Sequence, residues 1–352
     1  MSMTVELATS RLLPRRFGRP TPRLEVHEGD LARADMILSR ANRCEPQSNA
    51  ALLGDKRLLF SSSGRSFISY APEGANWLAF GGPVGLADEA LDLARHFIDL
   101  AQHSQKQPSF YGVGPSFDSI AQHLGLRKLK TGERAILDLT QFSLEGKQRQ
   151  VIRTHRNRHL KNNFRVCVEG PGAVRANLGR LQVISDQWLS HQAGGEKGFG
   201  LGRFDIHYID RLPLATVRTE TGNLAAFATL WPTADQSRLG VDLMRYGDDA
   251  PNGVMDFLFA ELFLWAKAQG YREFDLNTAP LAGVEPCMQS PFLTSVGKLM
   301  FEHGEKLYNF KGVRRFKNKF HPHWEDVYLA SPKGVSQLSA LAKVTWLINR
   351  PR

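Results

Sequence analysis

The chain has 352 residues, 42% hydrophobic and 23% charged, with a formal net charge of +10 at neutral pH. This length fits two domains with substantial cores, and the positive field favours an anionic partner such as nucleic acid, anionic lipid or a phosphorylated substrate. Three widely spaced cysteines, Cys44, Cys167 and Cys287, argue against a disulfide framework or zinc site and fit a reducing compartment, and no run of about 18 uncharged apolar residues offers a membrane-spanning helix.

Residues 1–24 are arginine-rich, with three prolines between Arg11 and Arg23 and no long apolar core, which reads as a flexible basic arm and not as a signal peptide. A helical pattern follows at 31–43. Three strand-like runs come next, at 57–61, 66–71 and 76–80, separated by Ser63-Gly64 and Glu73-Gly74 as an antiparallel meander. After Gly81-Gly82-Pro83, the spacing of Leu91, Ala94, Ile98 and Ala101 predicts an amphipathic helix. A strand at 109–113, a short helix opened by Ser116 and a strand at 134–139 close this first set.

The order then repeats. A helix at 174–189 carries Leu178, Leu181 and Trp188, and strands follow at 214–218, 224–231 and 239–244. The 253–269 helix is apolar nearly all round and is therefore expected to be buried. A strand at 272–276 and a helix near 293–302 complete the second set. Helix, three-strand meander, helix, strand, helix, occurring twice, is the element order of GNAT-type acyltransferases, so the expected fold is α/β (α+β) with tandem GNAT-type domains. The expected division is an arm at 1–24, an N-terminal domain at 25–142, a basic connecting helix at 143–163, a C-terminal catalytic domain at 164–340 and a tail at 341–352.

The connecting segment holds Arg149, Arg153, Arg156, Arg158 and Lys161, and its arginines cannot all share one helix face. It reads either as a solvated connector or as a phosphate-contacting helix, since clustered cations gain affinity by releasing condensed counterions. A coenzyme A site would need a glycine-rich loop before the 253–269 helix. That place holds Tyr246-Gly247-Asp248-Asp249-Ala250-Pro251-Asn252-Gly253, whose Asp248 and Asp249 repel a pyrophosphate, so no coenzyme A is expected. There is no Gly-Lys-Ser/Thr phosphate loop and no metal-ligand spacing, so no cofactor and no metal are expected. What remains at the strand end is Asp242 with Arg245: an acid able to hold an ammonium or take a hydroxyl proton, and a guanidinium able to bind phosphate, or else an ordinary ion pair. A second cluster, from Tyr308 to Phe320, alternates Lys311, Arg314, Arg315, Lys317 and Lys319 with aromatics, which suits phosphate and acyl-chain contact or a basic element with its aromatics in the core.

Several strings taken together resemble a known family. Leu53-Gly54-Asp55-Lys56-Arg57, Glu196-Lys197-Gly198-Phe199, Val241-Asp242-Leu243-Met244-Arg245, Ala250-Pro251-Asn252-Gly253-Val254-Met255-Asp256 and Tyr308-Asn309-Phe310-Lys311-Gly312 look like the C-terminal catalytic domain of bacterial phosphatidylglycerol lysyltransferases, the multiple peptide resistance factors. The resemblance runs from about Asn49 to Pro332. It implies two GNAT-type domains with the active site mainly in the second, aminoacyl-tRNA as donor, phosphatidylglycerol in an anionic membrane surface as acceptor, and a cytoplasmic location at the inner face of the cell membrane. It also implies that Asp242, Arg245 and Lys317 are the catalytic set, with Glu196, Lys197, Tyr308, Lys311 and Arg314 as substrate-binding candidates. The family's multi-helix flippase has no counterpart here, so a stand-alone synthase or a fragment is expected, with any flippase a separate partner. Asp275-Leu276-Asn277-Thr278-Ala279-Pro280 departs from the family's usual Asn-Leu-Gly-Met-Ala-Pro, which leaves the amino-acid pocket open. Two other readings stand beside this one: transfer to a peptide or peptidoglycan amine, and a non-catalytic RNA- or membrane-binding module.

Overall fold

The computed structural model describes residues 27–192, 195–283 and 309–350. The arm at 1–24, the helix expected near 293–302, Cys287 and Tyr308 therefore lie outside the described residues.

The first half runs α1 (Glu28–Leu38), a 3-10 segment (Pro46–Leu53), β1 (Arg57–Phe60), β2 (Phe67–Glu73), β3 (Asn76–Phe80), α2 (Ala90–His103), β4 (Gln107–Val113), α3 (Asp118–His123) and β5 (Arg127–Asp138). The basic connector forms α4 (Gln150–Lys161). The second half runs β6 (Arg165–Glu169), α5 (Val174–Ser190), α6 (Ile206–Ile209), β7 (Leu214–Arg218), β8 (Leu224–Pro232), β9 (Arg238–Tyr246), α7 (Val254–Ala268), β10 (Glu273–Pro280), α8 (Asn309–Asn318), β11 (His323–Ser331) and α9 (Gln337–Asn349). Apolar spacing accounts for the helices read from sequence: Leu93, Ala94, Phe97, Ile98 and Ala101 of α2 share its buried face, and α7 buries residues around most of its circumference.

In each half an antiparallel meander ends in a strand that pairs in parallel with the strand after the next helix. In the first half β1, β2 and β3 are followed by β4; in the second, β7, β8 and β9 are followed by β10. This is the GNAT-type order, twice. The closing strands change places, however. The sheet order is β1-β2-β3-β4-β11-β5-β10-β9-β8-β7-β6, so β11 of the second half lies against β4 of the first, and β5 of the first lies against β10 of the second. The order reads the same from both ends up to the extra edge strand β6, a pseudo-twofold arrangement centred between β5 and β11.

One consequence is a shared core. Alternation along β8 sends Phe227 to one face and Ala226 and Ala228 to the other. On the Phe227 face a single apolar cluster joins α1, α5 and α9 with strands of both halves, from Leu78 and Phe80 to Leu214 and Leu243. On the opposite face α7 covers the second half and α2 the first.

Five stretches differ from the expectations. The strands at 134–139 and 272–276 are longer, and no element was expected at β6 or β11. Polar residues in β11 hid its pattern: Glu325 and Asp326 are held by Arg238 and Lys130, contacts that exist only once distant strands are adjacent. The stretch expected as a tail, 341–352, is helical as far as Asn349, because Ala340, Val344 and Leu347 are buried.

Candidate active site

Asp242 and Arg245 are three apart on β9, a spacing that in a regular strand puts side chains on opposite faces. Between the pairs Leu230↔Val241 and Ala228↔Met244, β9 advances by one residue more than β8, which is a β-bulge. The Leu243 backbone N–H inside the bulge donates to Thr229 Oγ1 at 3.1 Å instead of to the ladder. With the alternation broken, Asp242 and Arg245 both reach the 195–204 segment.

Gly202 N–H donates to Asp242 Oδ1 at 2.8 Å, and Tyr208 Oη donates to Asp242 Oδ2 at 2.7 Å. Trp231 Nε1 in turn donates to Tyr208 Oη at 2.9 Å, fixing the phenol. Burial pushes the Asp242 carboxyl up to about 6, against the pull of the Tyr208, Gly202 and Thr229 hydrogen bonds and the Arg245 charge. A carboxyl poised there can exchange a proton near neutral pH. Gly202 has no alternative in this packing, since a Cβ on it would lie 2.0 Å from Asp242 Oδ2.

Arg245 is buried. Its Nη2 donates to Glu196 Oε1 at 2.6 Å, its Nη1 to Ser185 Oγ, and its guanidinium lies 5.2 Å from the Trp188 ring centroid and 5.9 Å from that of Phe204. Both Glu196 carboxylate oxygens also accept from the Phe204 N–H, at 3.1 and 3.0 Å. Glu196 thus joins the site, whereas Lys197 Nζ reaches Asn349 Oδ1 at 2.8 Å.

The neighbouring strand carries a second bulge. Against β5, β10 steps from Asp275↔Ile136 to Thr278↔Arg134, and Asn277 sits in the left-handed region at φ 71°. Asp275 Oδ1 accepts from Asn277 N–H at 2.6 Å, which stabilises that conformation. The carbonyls of Asn277 and Thr278 both accept from Lys317 Nζ, at 2.8 and 2.9 Å. Burial brings the Lys317 ammonium down to about 7, with Asp275 opposing the shift and Arg134 adding to it. The parallel ladder between β9 and β10 ends at Gly240↔Asp275. Asp242 is two residues past that point on one strand, and the Lys317 cradle begins two residues past it on the other.

A buried polar hub ties this region to the first half. Arg134 donates to Gln47 Oε1 at 2.5 Å and to Glu45 Oε2 at 3.1 Å, with Asp275 at 3.6 Å from its Nε. Arg238 bridges Glu45, Glu273 and Glu325. Glu273, His323 and Glu325 bring ligand-type atoms within 4.8 Å of one another, but Arg238 already supplies the cation for both glutamates.

The other candidates are dispersed. Arg314 pairs with Glu133 at 2.9 Å and stacks over Trp324. Lys311 lies in α8, its side chain outside the described set. On α4 and the turn before it, Arg149 donates to Phe320 O at 2.6 Å, Arg153 to Gly146 O at 3.0 Å and to Leu144 O, Arg156 to Glu261 and Arg158 to Asn252 O; Lys161 is exposed. Sequence reasoning passed over Ser185, Gly202, Tyr208 and Thr229. Of these only Gly202 leaves a signal, in the run Gly198-Phe199-Gly200-Leu201-Gly202, which reads as close backbone approach.

A family model described as phosphatidylglycerol lysyltransferase, C-terminal, matches residues 36–331. The crystal structure of the C-terminal domain of a protein from Agrobacterium fabrum, assigned as a lysylphosphatidylglycerol synthetase, is 37% identical with a TM-score of 0.79, over 92% of this chain and 98% of that one. L-PGS from Bacillus licheniformis is 32% identical with a TM-score of 0.78, over 94% of this chain and 100% of that one. The phosphatidylglycerol lysyltransferase of Bacillus subtilis (strain 168) is 34% identical over 305 residues, which are 87% of this chain and 35% of that protein. The chain spans about a third of the length of the curated relatives it matches. A bulged strand bearing Asp242 and Arg245, beside a strand whose own bulge holds a buried lysine, is thus set in a protein similar to these over most of its length: the chain belongs to the phosphatidylglycerol lysyltransferase C-terminal family.

Proposed function

We propose that this protein is an aminoacyltransferase that moves a lysyl group from lysyl-tRNA to a head-group hydroxyl of phosphatidylglycerol. The observation that carries the reading is that Asp242 on β9, poised near 6, and Lys317 on α8, poised near 7 and held by the Asn277 and Thr278 carbonyls of β10, both lie just past the end of the β9–β10 ladder. Relatives named phosphatidylglycerol lysyltransferase supply the substrate class.

The ester on tRNA is already activated, so the step needs no nucleotide and no coenzyme A. The lipid hydroxyl oxygen attacks the ester carbonyl carbon, the bond from that carbon to the ribose oxygen breaks, and the hydroxyl proton ends on the ribose oxygen. Asp242 holds the substrate ammonium or accepts the attacking proton. Lys317, able to carry or release a proton near neutral pH, meets the negative charge that develops on oxygen. The Arg245 fork is engaged by Glu196 and Ser185, so its part is to position Glu196 and to draw the Asp242 pKa down. Asp248 and Asp249, exposed before α7, pair with His191 and Arg180 and disfavour a pyrophosphate there. The outward surface of α4, with Lys161, is the proposed tRNA contact. Catalysis takes place at the inner face of the cell membrane; among the described residues no helix is long and apolar enough to cross it. The direct test is incubation with radiolabelled lysyl-tRNA and phosphatidylglycerol vesicles. Label in the lipid fraction is expected, and label that remains on tRNA, or that passes only to peptide amines, refutes the proposal.

A further inference from the structure

We propose that Asp55 and Lys56, at the start of the first meander, are positioning residues: they latch the 195–204 segment over β9 and so hold Glu196 on Arg245 and the Gly202 amide on Asp242. The inference rests on the reading of Asp242 and Arg245 as the reacting site.

The geometry centres on Phe199. It is a non-glycine residue in the left-handed region, at φ 61°, a conformation that persists only where its surroundings over-determine it. Both of its backbone polar groups go to the pair. Phe199 N–H donates to Asp55 Oδ2 at 3.2 Å, and Lys56 Nζ donates to Phe199 O at 2.7 Å. Asp55 Oδ1 and Lys56 Nζ are 2.5 Å apart, and Lys56 is fully buried. The ammonium lies 5.7 Å from the ring centroids of both Phe80 and Phe199. Gly200 permits the approach, because a Cβ there would meet the Phe80 ring at 3.0 Å.

The same short segment carries every contact at stake. Glu196 is three residues before Phe199, and Gly202 is three residues after it. Burying an ion pair of this kind is a weak source of stability, since desolvation offsets most of the attraction. A left-handed residue clamped at both its N–H and its C=O is a more specific outcome of that burial. It turns the chain so that the residues on either side descend onto Arg245 and Asp242. The latch belongs to the first half of the sequence and its target to the second, which gives the first half a part in the site without a reacting group of its own.

The test uses the full chain in two forms, Lys56→Met and the double variant Asp55→Asn with Lys56→Met; the double variant removes both charges of the pair together and keeps the experiment informative if the single variant folds poorly. Hydrogen exchange followed by mass spectrometry reads the amides of 198–204 against those of α7. Exchange at 198–204 is expected to rise about tenfold or more while α7 keeps its protection. In the transfer assay kcat is expected to fall about tenfold or more, since small misplacements of reacting groups are costly. The acid limb of its pH profile should move upward, because Asp242 loses the Gly202 N–H that lowers its pKa. A purely structural pair would lower protection throughout the chain and leave that limb in place. Unchanged exchange at 198–204, or an equal rise everywhere, overturns the latch. Should the wild-type protein transfer nothing to lipid, the proposed function fails while the exchange measurement still decides the latch.

Discussion

Replacing Asp242 with asparagine separates a reacting carboxylate from a structural one, because the two make opposite predictions for stability. The carboxyl has an ordinary value of 3.8 and is raised to about 6 in the folded chain. A group raised on folding binds its proton more tightly in the native state, so its contribution to stability is lost as pH rises from 3.8 through 6. That rise corresponds to about 3 kcal/mol that the ionised side chain costs the fold at neutral pH. The neutral amide of the Asp242→Asn variant carries no such cost. It loses some hydrogen-bond quality with Tyr208 or Gly202, worth about 1 kcal/mol. The variant should therefore be as stable as the wild type at about pH 7, or more stable by up to about 2 kcal/mol. Between about pH 5 and about pH 7 the wild type should lose about 1 kcal/mol relative to it. Over the same range kcat for lysyl transfer should fall at least about 100-fold, equivalent to about 2.7 kcal/mol of transition-state stabilisation. Urea denaturation at the two pH values, alongside the transfer assay, gives both numbers. A variant that is less stable by about 2 kcal/mol at neutral pH and turns over normally per folded molecule would identify Asp242 as a fold-supporting partner and refute the assignment.

Lys317→Met should abolish most turnover and also reverse the pH dependence. The folded amine titrates near 7 against an ordinary 10.5, so wild-type stability rises with pH across that window, and the variant should lose about 3 kcal/mol relative to wild type between about pH 7 and about pH 9.5 in urea titrations. Gly202→Ala drives a methyl group into the Asp242 carboxylate, so the segment or the carboxylate must shift, and a lower melting temperature together with a fall in kcat of about tenfold or more per folded molecule is expected; normal kinetics would show that the segment yields freely. On α4, Lys161→Ala should lower the salt slope of tRNA binding by about one unit and leave melting unchanged. Arg156→Ala, which strips Glu261 of its partner, should instead lower the melting temperature; a reversed pattern would move the tRNA contact onto the arginine side of the helix.

The spacing of Asp242 and Arg245 at a strand end was visible in the sequence, and so was the repeated element order. The extra residue in β9 that turns both side chains to the 195–204 segment was not, because a bulge is defined by a partner strand and its register. Lys317 shows the same limit from another side. In the sequence it is one of five cations between Tyr308 and Phe320. In the fold it is buried against two carbonyls that the β10 bulge aims at it, while Lys319 joins Asp256 and Arg314 joins Glu133. The connector arginines carry the opposite lesson. A dense run of cations reads as a polyanion surface, yet four of these five groups spend donors on carbonyl groups and on Glu261 of this same chain. Charge along a sequence measures what must be neutralised or solvated, and only packing decides which.

The exchange of closing strands explains why the site draws on both halves. With β5 against β10 and β11 against β4, neither half can complete its sheet alone, and the Phe227-face core continues across the junction. The polar hub follows from the same exchange. β5 brings Arg134 beside Asp275, and Asp275 holds the bulge whose carbonyls receive Lys317. An isolated second half would keep Asp242 and Arg245 on β9 but lose Arg134 and Glu45 from the hub and Asp55 and Lys56 from the clamp on Phe199. Its β10 would also present an unpaired edge where β5 had been. Loss of the first half should therefore remove activity through the geometry of β10 and of the 195–204 segment, with every proposed reacting side chain still present in the remaining chain.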